Sequence, residues 1–299
     1  MPGARQRLAN MQKFDKMHSV FITRSYSKHY MSSLEFYRNA YAYDIAFGDR
    51  DFASECDFLA WCLAQHGNLP SFATGHATSF LELACGPARH ARELGHRGWQ
   101  VLGLDMSSDM LEYAARGARQ EHVTLQTLCA DMCDYRLGQP VALAANMMES
   151  LSHLLTNQQI VSHLRAVGSN LLPGGIYVIE MAHPSGLWRD SLPNMWTTSH
   201  NGTEVDIVFG LQDDPYDWIT QQWTVTTRLT IREPGQPERY IEEHNNHRWC
   251  QPQELAALID LSGAFDQVWW YGDLLIPPPP LDDSEDAKRM MVVLRSKGA

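Results

Sequence analysis

Short apolar runs recur through the first two thirds of the chain, and helix-like segments separate them. The runs predict five strands, SFLEL (79–83), QVLGLD (100–105), HVTLQTL (122–128), VALAAN (141–146) and IYVIEM (176–181). Runs that are apolar almost throughout are typical of parallel strands buried on both faces. We therefore expect an α/β sheet with helices on both faces. The carboxyl ends of its strands should open onto a ligand crevice.

The hydrophobic pattern changes on either side of this sheet. Residues 35–68 predict helices, and alternation within residues 184–250 predicts three antiparallel strands, EVDIVFGLQ, WTVTTRLTI and RYIEEHNNHRW. Residues 268–271 and 290–294 predict an antiparallel hairpin that closes the main sheet. The chain is thus expected to have three parts: a helical cover (1–75), an α/β core (76–183 and 251–299) and an inserted antiparallel lid (184–250).

The turn after the first apolar run carries small residues at alternate positions. Ala84, Gly86 and Ala88 follow the strand, and ARHARELGHRG then begins a helix. Small side chains let a ligand approach the backbone, and a helix N-terminus favours an anionic or polar group. The next run ends on Asp105, where an α/β unit places the carboxylate that holds two ribose hydroxyls. These features predict a nucleotide-binding corner.

This corner resembles the first motif of the class I S-adenosylmethionine-dependent methyltransferases. Glu82, Ala84, Gly86 and Ala88 stand in the register of that motif, with alanine at two of the usual glycines. Alanine still permits close approach if its φ is negative. Pro173-Gly174-Gly175 before the fifth run also resembles the family pattern. A nicotinamide-binding corner fits poorly, because ACGPARHA lacks the third glycine of G-x-G-x-x-G.

The resemblance implies a Rossmann-like sheet and S-adenosyl-L-methionine as cofactor. Asp131 would accept from the adenine amino group, Met106 and Met132 would flank the ring, and a tyrosine of the cover would close over the sulfonium end. An arginine such as Arg89 could clamp a carboxylate. The expected cofactor-binding residues are Tyr43, Glu82, Ala84, Cys85, Gly86, Arg89, Asp105, Met106, Asp131, Met132 and Asn146.

Methyl transfer needs a proton acceptor only when the attacking atom must lose a proton. His183, His153 and Glu180 are the catalytic candidates, because they follow strand ends that face the crevice. The candidates for substrate contact are Glu149, Trp188, Trp223, His244 and His247. His244 and His247 are three apart on one predicted strand, so only one of them can point inward.

Composition and charge narrow the substrate class. The 299-residue chain has a formal net charge of −11, which opposes a nucleic-acid partner. No apolar run approaches the roughly 18 residues of a membrane span. The six cysteines show no paired C-x-x-C and predict reduced thiols in the cytoplasm, with no metal site. The segment 184–250 has ten acids, five arginines and five of the nine tryptophans, a balance that favours an amine substrate.

The sequence therefore predicts a small-molecule methyltransferase, most like the N-methyltransferases of glycine-type amines. An O-methyltransferase is the near alternative. A binding protein that senses the cofactor, and an enzyme of the same fold that cleaves or cyclises it, also stay open. Residues 1–34 are basic. They predict a helical arm that covers the cofactor or pairs subunits, with a transit peptide as the alternative, so a homodimer is also open.

Overall fold

The computed structural model describes residues 39–69, 78–187 and 192–298. The predicted basic arm and Trp188 lie outside the described residues. The helices are α1 (Ala40–Ala46), α2 (Phe52–His66), α3 (Arg89–His96), α4 (Ser108–Gln120), α5 (Asn157–Asn170) and α6 (Pro252–Ser262). The strands are β1 (Ser79–Leu83), β2 (Gln100–Asp105), β3 (Leu125–Cys129), β4 (Val141–Asn146), β5 (Leu171–Ala182), β6 (Asn194–His200), β7 (Thr203–Phe209), β8 (Tyr216–Asp217), β9 (Gln222–Arg232), β10 (Arg239–His247), β11 (Phe265–Tyr271) and β12 (Arg289–Ser296).

Seven strands form the main sheet in the order β11-β12-β5-β4-β1-β2-β3. Strands β1 to β5 run parallel, and β12 pairs antiparallel with both β5 and β11. The strand order reverses between β1 and β4, so the carboxyl ends of these two strands flank the position where α/β sheets bind ligands. The predicted Rossmann-like fold and its closing hairpin are confirmed.

Side chains at alternate positions of β1 fill two separate cores. Leu81 and Leu83 pack with buried residues of α5 and α6, whereas Phe80 packs with buried residues of α2, α3 and α4. Both β1 and β4 are buried along their full length. The two cores hold the strands rigidly, which fixes the residues at their carboxyl ends.

Capping residues that can be read from the sequence mark the N-termini of two helices in the structure. Ser107 caps α4 by accepting from the Met110 amide, and Thr156 forms a capping box with Gln159 at α5. Helix α5 ends at Asn170 and β5 begins at Leu171, so the Pro-Gly-Gly segment lies within the strand, with Gly174 at a φ of +75°.

A second, antiparallel sheet lies within the segment predicted as a lid. Its order is β10-β9-β7-β6, with β8 paired to β9. The sequence predicted β7, β9 and β10 but missed β6 and β8. Strand β6 is mostly exposed and β8 has two residues, so neither leaves an apolar alternation to read.

The inner face of this second sheet packs on the cover helix α1. The buried residues that meet there are Ala42, Ile45, Ala46, Val205, Ile207, Leu229, Ile231 and Ile241. Hydrogen bonds add to the contact, since Trp196 Nε1 donates to Ala46 O and Thr198 Oγ1 donates to Ile45 O, each at 2.8 Å. The cover and the second sheet thus form one layer above the strand ends. Among the described residues, no helix is both long enough and apolar enough to cross a membrane.

Candidate active site

The turn between β1 and α3 is a run of left-handed backbone at every second residue. The φ angles are +49° at Ala84, +48° at Gly86 and +55° at Ala88. The two alanines therefore do not have the negative φ that was the condition for close approach at alanine. Left-handed backbone costs a non-glycine residue about 1–2 kcal/mol, and such strain gathers at ligand sites. The turn bends sharply at the carboxyl ends of the strands.

Asp105 ends β2 beside this turn. Its Oδ2 accepts from the Gly86 amide and its Oδ1 accepts from the Ser107 amide, both at 2.8 Å. Burial raises the pKa of Asp105, while these amide donors hold it down. Each carboxylate oxygen keeps a second lone pair, and the side chain is half-buried. The carboxylate can therefore still accept from two hydroxyls of a ligand.

Tyr43 of α1 covers the turn from above. A β-carbon built on Gly86 would stand 3.6 Å from Tyr43 Cε1. Burial raises the pKa of Tyr43 above its usual value, and the nearby Asp105 adds to this rise. The phenol therefore stays protonated. Its ring forms the boundary between the turn and a cavity on the other side.

Arg89 ties the cover to the corner. Its Nε and one terminal nitrogen donate to the two oxygens of Asp44 at 2.6 and 2.7 Å, and Tyr113 donates its hydroxyl to Asp44 at 2.8 Å. Asp44 lies on α1, so this planar pair fixes the helix that carries Tyr43. The geometry favours an anchoring role for Arg89 over the ligand clamp that the sequence predicted.

A cavity of about 990 Å³ lies between the strand ends, the cover and the second sheet. Its volume is at the upper end of ordinary ligand sites. Aromatic rings form much of its wall. They belong to Tyr43, Phe47, His153, Trp196, Phe209, Tyr216, Trp218, Trp223, His247 and Trp249.

Glu149 is held in this cavity by an unusual backbone. Met148 and Glu149 follow β4 with φ of +56° and +59°, two left-handed residues in succession. Glu149 Oε2 accepts from Trp249 Nε1 at 2.9 Å. Burial raises the pKa of Glu149, and the Trp249 bond opposes part of that rise. A strained turn thus presents one buried carboxylate among aromatic rings, an arrangement that suits a cationic group.

Two histidines share the same wall. The rings of His153 and His247 lie 4.6 Å apart, and His247 Nδ1 is 2.8 Å from Ser152 Oγ. His153 is exposed to the cavity, whereas His247 is 8% exposed. Burial lowers the pKa of His247, and the neighbouring His153 adds to this effect. The imidazole of His247 is therefore neutral near pH 7. His247 points inward and His244 outward, as their spacing predicted.

Comparison with known proteins agrees with this geometry. Residues 80–175 match a family model described as "Methyltransferase domain". The chain contains a methyltransferase domain. Its fold is that of solved S-adenosylmethionine-dependent methyltransferases, and S-adenosylmethionine is the cofactor against which the site can be compared.

Three similar proteins illustrate the likeness. A dTDP-3-amino-3,4,6-trideoxy-alpha-D-glucopyranose N,N-dimethyltransferase of Streptomyces venezuelae is 30% identical over 144 residues, or 48% of this chain and 56% of that relative. The crystal structure of Streptomyces venezuelae DesVI has a TM-score of 0.67 at 22% identity, covering 85% of this chain and 97% of that one. An S-adenosylmethionine-dependent methyltransferase from Clostridium acetobutylicum has a TM-score of 0.66 at 15% identity, covering 85% and 96%. The chain spans about half the length of the curated relatives it matches first.

The residues at the strand ends of the methyltransferase domain fit this cofactor. A side chain at Gly86 would meet only Tyr43 within 4 Å, so the turn leaves room for a ligand. Asn146 ends β4 fully buried, and its Oδ1 has no hydrogen-bond partner among the described residues. Such an acceptor is satisfied by a ligand that carries a donor. Asp105 offers the complementary carboxylate for hydroxyl groups.

Of the residues predicted to contact adenine, some are exposed and one is buried in the core. Asp131 and Met106 are exposed beyond their strands, where a ligand can reach them. Met132 is 7% exposed and packs in the core that contains Leu83, which does not favour its predicted place on the ring. Cys85 is also buried, and its Sγ would lie 2.8 Å from a β-carbon on Gly103. Its side chain therefore faces the sheet, and only its backbone lies in the turn.

Glu82 of the methyltransferase motif is buried and bonded to protein groups. Its Oε1 lies 2.9 Å from His90 Nδ1, and its Oε2 accepts from the Ala91 amide at 2.8 Å. His90 Nε2 reaches Glu55 at 2.7 Å on its other side. Burial alone would lower the pKa of His90, but the two carboxylates outweigh it and raise that pKa to about 9. Glu82 therefore positions the N-terminus of α3, and a direct cofactor contact is not favoured.

Two predicted catalytic residues are occupied in the same way. Glu180 accepts from Arg50 at 2.9 Å and from the Met148 amide at 2.8 Å, and it pairs with Arg289. His183 Nε2 donates to Asp282 O at 3.0 Å, while its Nδ1 lies 2.7 Å from Ser185 Oγ. With Nε2 carrying the proton, Nδ1 accepts from the serine and has no free lone pair. His183 also does not line the cavity, so the geometry argues against its predicted role and favours His153.

Sequence reasoning missed Arg50, His90 and Trp249 at this site. Arg50 joins Glu55 to Glu180, and Trp249 holds Glu149. Trp223 lines the cavity as predicted. Arg50 and His90 have no local motif, because their partners come from other elements of the fold. Trp249 lies two residues after His247. The high tryptophan content of residues 184–250 was the available sequence signal for it.

Proposed function

We propose that the protein transfers a methyl group from S-adenosylmethionine to an amine nitrogen of a small molecule. The observation that carries the proposal is that the ring of Tyr43 borders two sites. It covers the strained turn at Gly86, and it also lines the aromatic cavity. Two ligands that meet at this ring would be held side by side. Holding reacting atoms in contact and in line accounts for several kcal/mol of the barrier in such displacements.

The protein's own groups would handle orientation and the proton. Bound S-adenosylmethionine supplies a methyl group activated on a sulfonium sulfur. An alkylamine enters as an ammonium ion and must lose one proton before its nitrogen lone pair can attack. Glu149 and His153 are the proton acceptors that face the cavity. The aromatic wall would exclude water from the reacting atoms.

The chain would divide this work among three parts. Cover residues before 76 and the inserted segment 184–250 enclose the acceptor, and the core of residues 76–183 and 251–299 holds the cofactor. We further propose action in the cytoplasm on a free small molecule rather than on nucleic acid or a membrane. The six cysteines, all free thiols, and the net charge of −11 support this location and substrate class.

A labelling experiment tests the transfer. The full chain is incubated with methyl-labelled S-adenosylmethionine and a pool of amines and alcohols, and products are identified by mass spectrometry. We expect S-adenosylhomocysteine to form only with the pool present, and the label to appear on nitrogen. Label on oxygen would establish the O-methyltransferase alternative. Methylthioadenosine formed without an acceptor would instead indicate cleavage of the cofactor, and binding without any product would indicate a sensor.

A further inference from the structure

We propose that the acceptor amine is carried on a large apolar body without a diphosphate group. This inference rests on the proposed function and names its substrate class. It separates this chain from the relatives whose names specify amines on dTDP-linked sugars. The argument comes from the charge of the cavity, the continuity of its aromatic wall and the surface at its mouth.

The cavity wall offers no free cation among its described residues. Arg50 is the sole arginine or lysine among them. Its guanidinium is already engaged by Glu55 at 2.9 Å and by both oxygens of Glu180 at 2.9 Å. A diphosphate is normally held by arginine, lysine or a helix N-terminus. Because Glu149 and Glu180 also line the wall, an anionic ligand would meet carboxylates where it needs donors.

The aromatic wall is continuous around the carboxylate. The ring centroids of Trp223 and Trp249 lie 5.1 Å apart, and Trp249 stacks on His247 with a centroid distance of 5.5 Å. The ring of Phe209 lies edge-on to Trp223 and His247, with centroid distances of 6.2 and 6.0 Å. Glu149 accepts from the Trp249 indole, so it lies at the edge of this cluster. A carboxylate beside stacked rings pairs with an ammonium group, and the rings cover the hydrocarbon that bears it.

The mouth of the cavity continues the apolar surface outward. Trp218 and Met195 line the cavity yet are 69% and 68% exposed, and the adjoining Ile219 is 91% exposed. Trp218 packs edge-on against Tyr216 at 4.7 Å, which keeps its ring at the entrance. Exposed apolar groups that cluster at an opening mark a binding surface. A body larger than the cavity would rest on these residues.

Two matched probes test the charge and the body of the acceptor. The full chain is saturated with S-adenosylhomocysteine and titrated by calorimetry with 2-(1-naphthyl)ethylamine, with the corresponding alcohol, and with thymidine diphosphate. We expect the amine to bind at least tenfold more tightly than the alcohol, as the loss of a charged hydrogen bond in a buried site implies. We expect thymidine diphosphate neither to bind measurably nor to displace the amine.

Variants test whether Glu149 in the cavity wall and Trp218 at the cavity mouth account for the binding of the amine. Glu149→Gln should weaken amine binding at least tenfold, because it keeps the shape and removes the charge. Trp218→Ala should weaken the amine and the alcohol by a similar, smaller factor of about three to ten. Glu242→Gln and Tyr240→Ala are the controls, since both residues lie on the outer face of the second sheet and do not line the cavity. Glu149→Ala, which also removes the charge, replaces Glu149→Gln if that variant does not fold.

The outcomes separate this inference from the proposed function. Failure to bind S-adenosylhomocysteine, measured first on the same sample, would contradict the proposed function itself. Normal S-adenosylhomocysteine binding with thymidine diphosphate as the tighter probe would overturn the inference alone. Equal binding of amine and alcohol, or unchanged amine binding in Glu149→Gln, would also overturn it.

Discussion

Tyr43 lies over Gly86 so closely that a β-carbon on the glycine would stand 3.6 Å from the tyrosine ring. The ring also lines the aromatic cavity. Since α1 is bound to the corner through Asp44 and Arg89, this relationship does not depend on Tyr43 alone. The cofactor turn and the acceptor cavity are therefore adjacent sites with one shared wall.

The turn at Gly86 should tolerate no bulk. Gly86→Val places a branched side chain at φ +48° against Tyr43, so it should abolish measurable binding of S-adenosylhomocysteine in calorimetry and cost about 1–2 kcal/mol of stability. Gly98→Val is the matched control, because Gly98 has φ +84° with no atom within 4 Å. It should lose similar stability and keep the affinity. Normal affinity in the Gly86 variant would place the cofactor elsewhere.

Asp105 should contribute strongly to cofactor affinity. Asp105→Ala removes a carboxylate that accepts from the turn and could accept from two hydroxyls, and each lost charged hydrogen bond is worth about 1.5–3 kcal/mol. We expect at least a tenfold weaker affinity for S-adenosylhomocysteine in calorimetry. Glu112→Ala, an exposed acid on α4, serves as the control. An unchanged affinity with an intact circular dichroism spectrum would contradict the assignment.

His153 should matter for catalysis far more than His183. His153→Ala removes an imidazole from the cavity and should lower kcat by about 10²-fold, in the lower range for a lost proton acceptor. His183→Ala should leave kcat and the shape of its pH profile nearly unchanged. Steady-state rates measured across pH compare the two variants. A larger loss of kcat in His183→Ala than in His153→Ala would support His183 as the catalytic residue.

Trp223 should affect the acceptor and not the cofactor. Trp223→Ala opens the wall that contacts Trp249 and Phe209, so the acceptor's KM should rise about tenfold while the affinity for S-adenosylhomocysteine changes less than twofold. Tyr240→Ala, on the outer face, should change neither. Equal losses in both titrations would show that the second sheet supports the cofactor site as well.

His90 should give the protein a pH-dependent stability. Its pKa rises from 6.5 to about 9 on folding, so the protonated form stabilises the native state. That contribution, about 3 kcal/mol, is complete below pH 6.5 and is lost as the pH rises through 9. Urea unfolding of the wild type and His90→Gln should therefore differ most at pH 6 and least above pH 9.5. A difference that stays constant with pH would mean that His90 is neutral in the native state.

The strands and the corner could be predicted because their signals are local. The apolar runs of β1 and β4 and the small residues after β1 each depend on a few neighbours in the sequence. The spacing of His244 and His247 was equally informative, since strand geometry alone decides which faces inward. These features carry the fold and the place of the site.

The chemistry of single side chains was less predictable because it depends on distant partners. In the sequence, His183 stands at a strand end with no evident partner. In the structure, its Nε2 donates a hydrogen bond to a carbonyl oxygen 99 residues away. Glu180 meets Arg50 across 130 residues and Arg289 across 109. The positive φ of Ala84 and Ala88 was equally hard to predict, because the tertiary fit of the turn overrides the preference of alanine. Only the assembled fold shows which polar atoms remain free.

The ion pairs around Arg50 form one line of alternating charge. It runs from Arg289 through Glu180, Arg50, Glu55 and His90 to Glu82. The line begins in the last strand and ends in the first, and every inner member is shared by two neighbours. Replacing one member would leave a buried charge without its partner on either side, at a cost of about 3–5 kcal/mol. Natural variants should therefore exchange these positions in groups, and a cover transplanted from another protein would have to bring a matching set of charges with it.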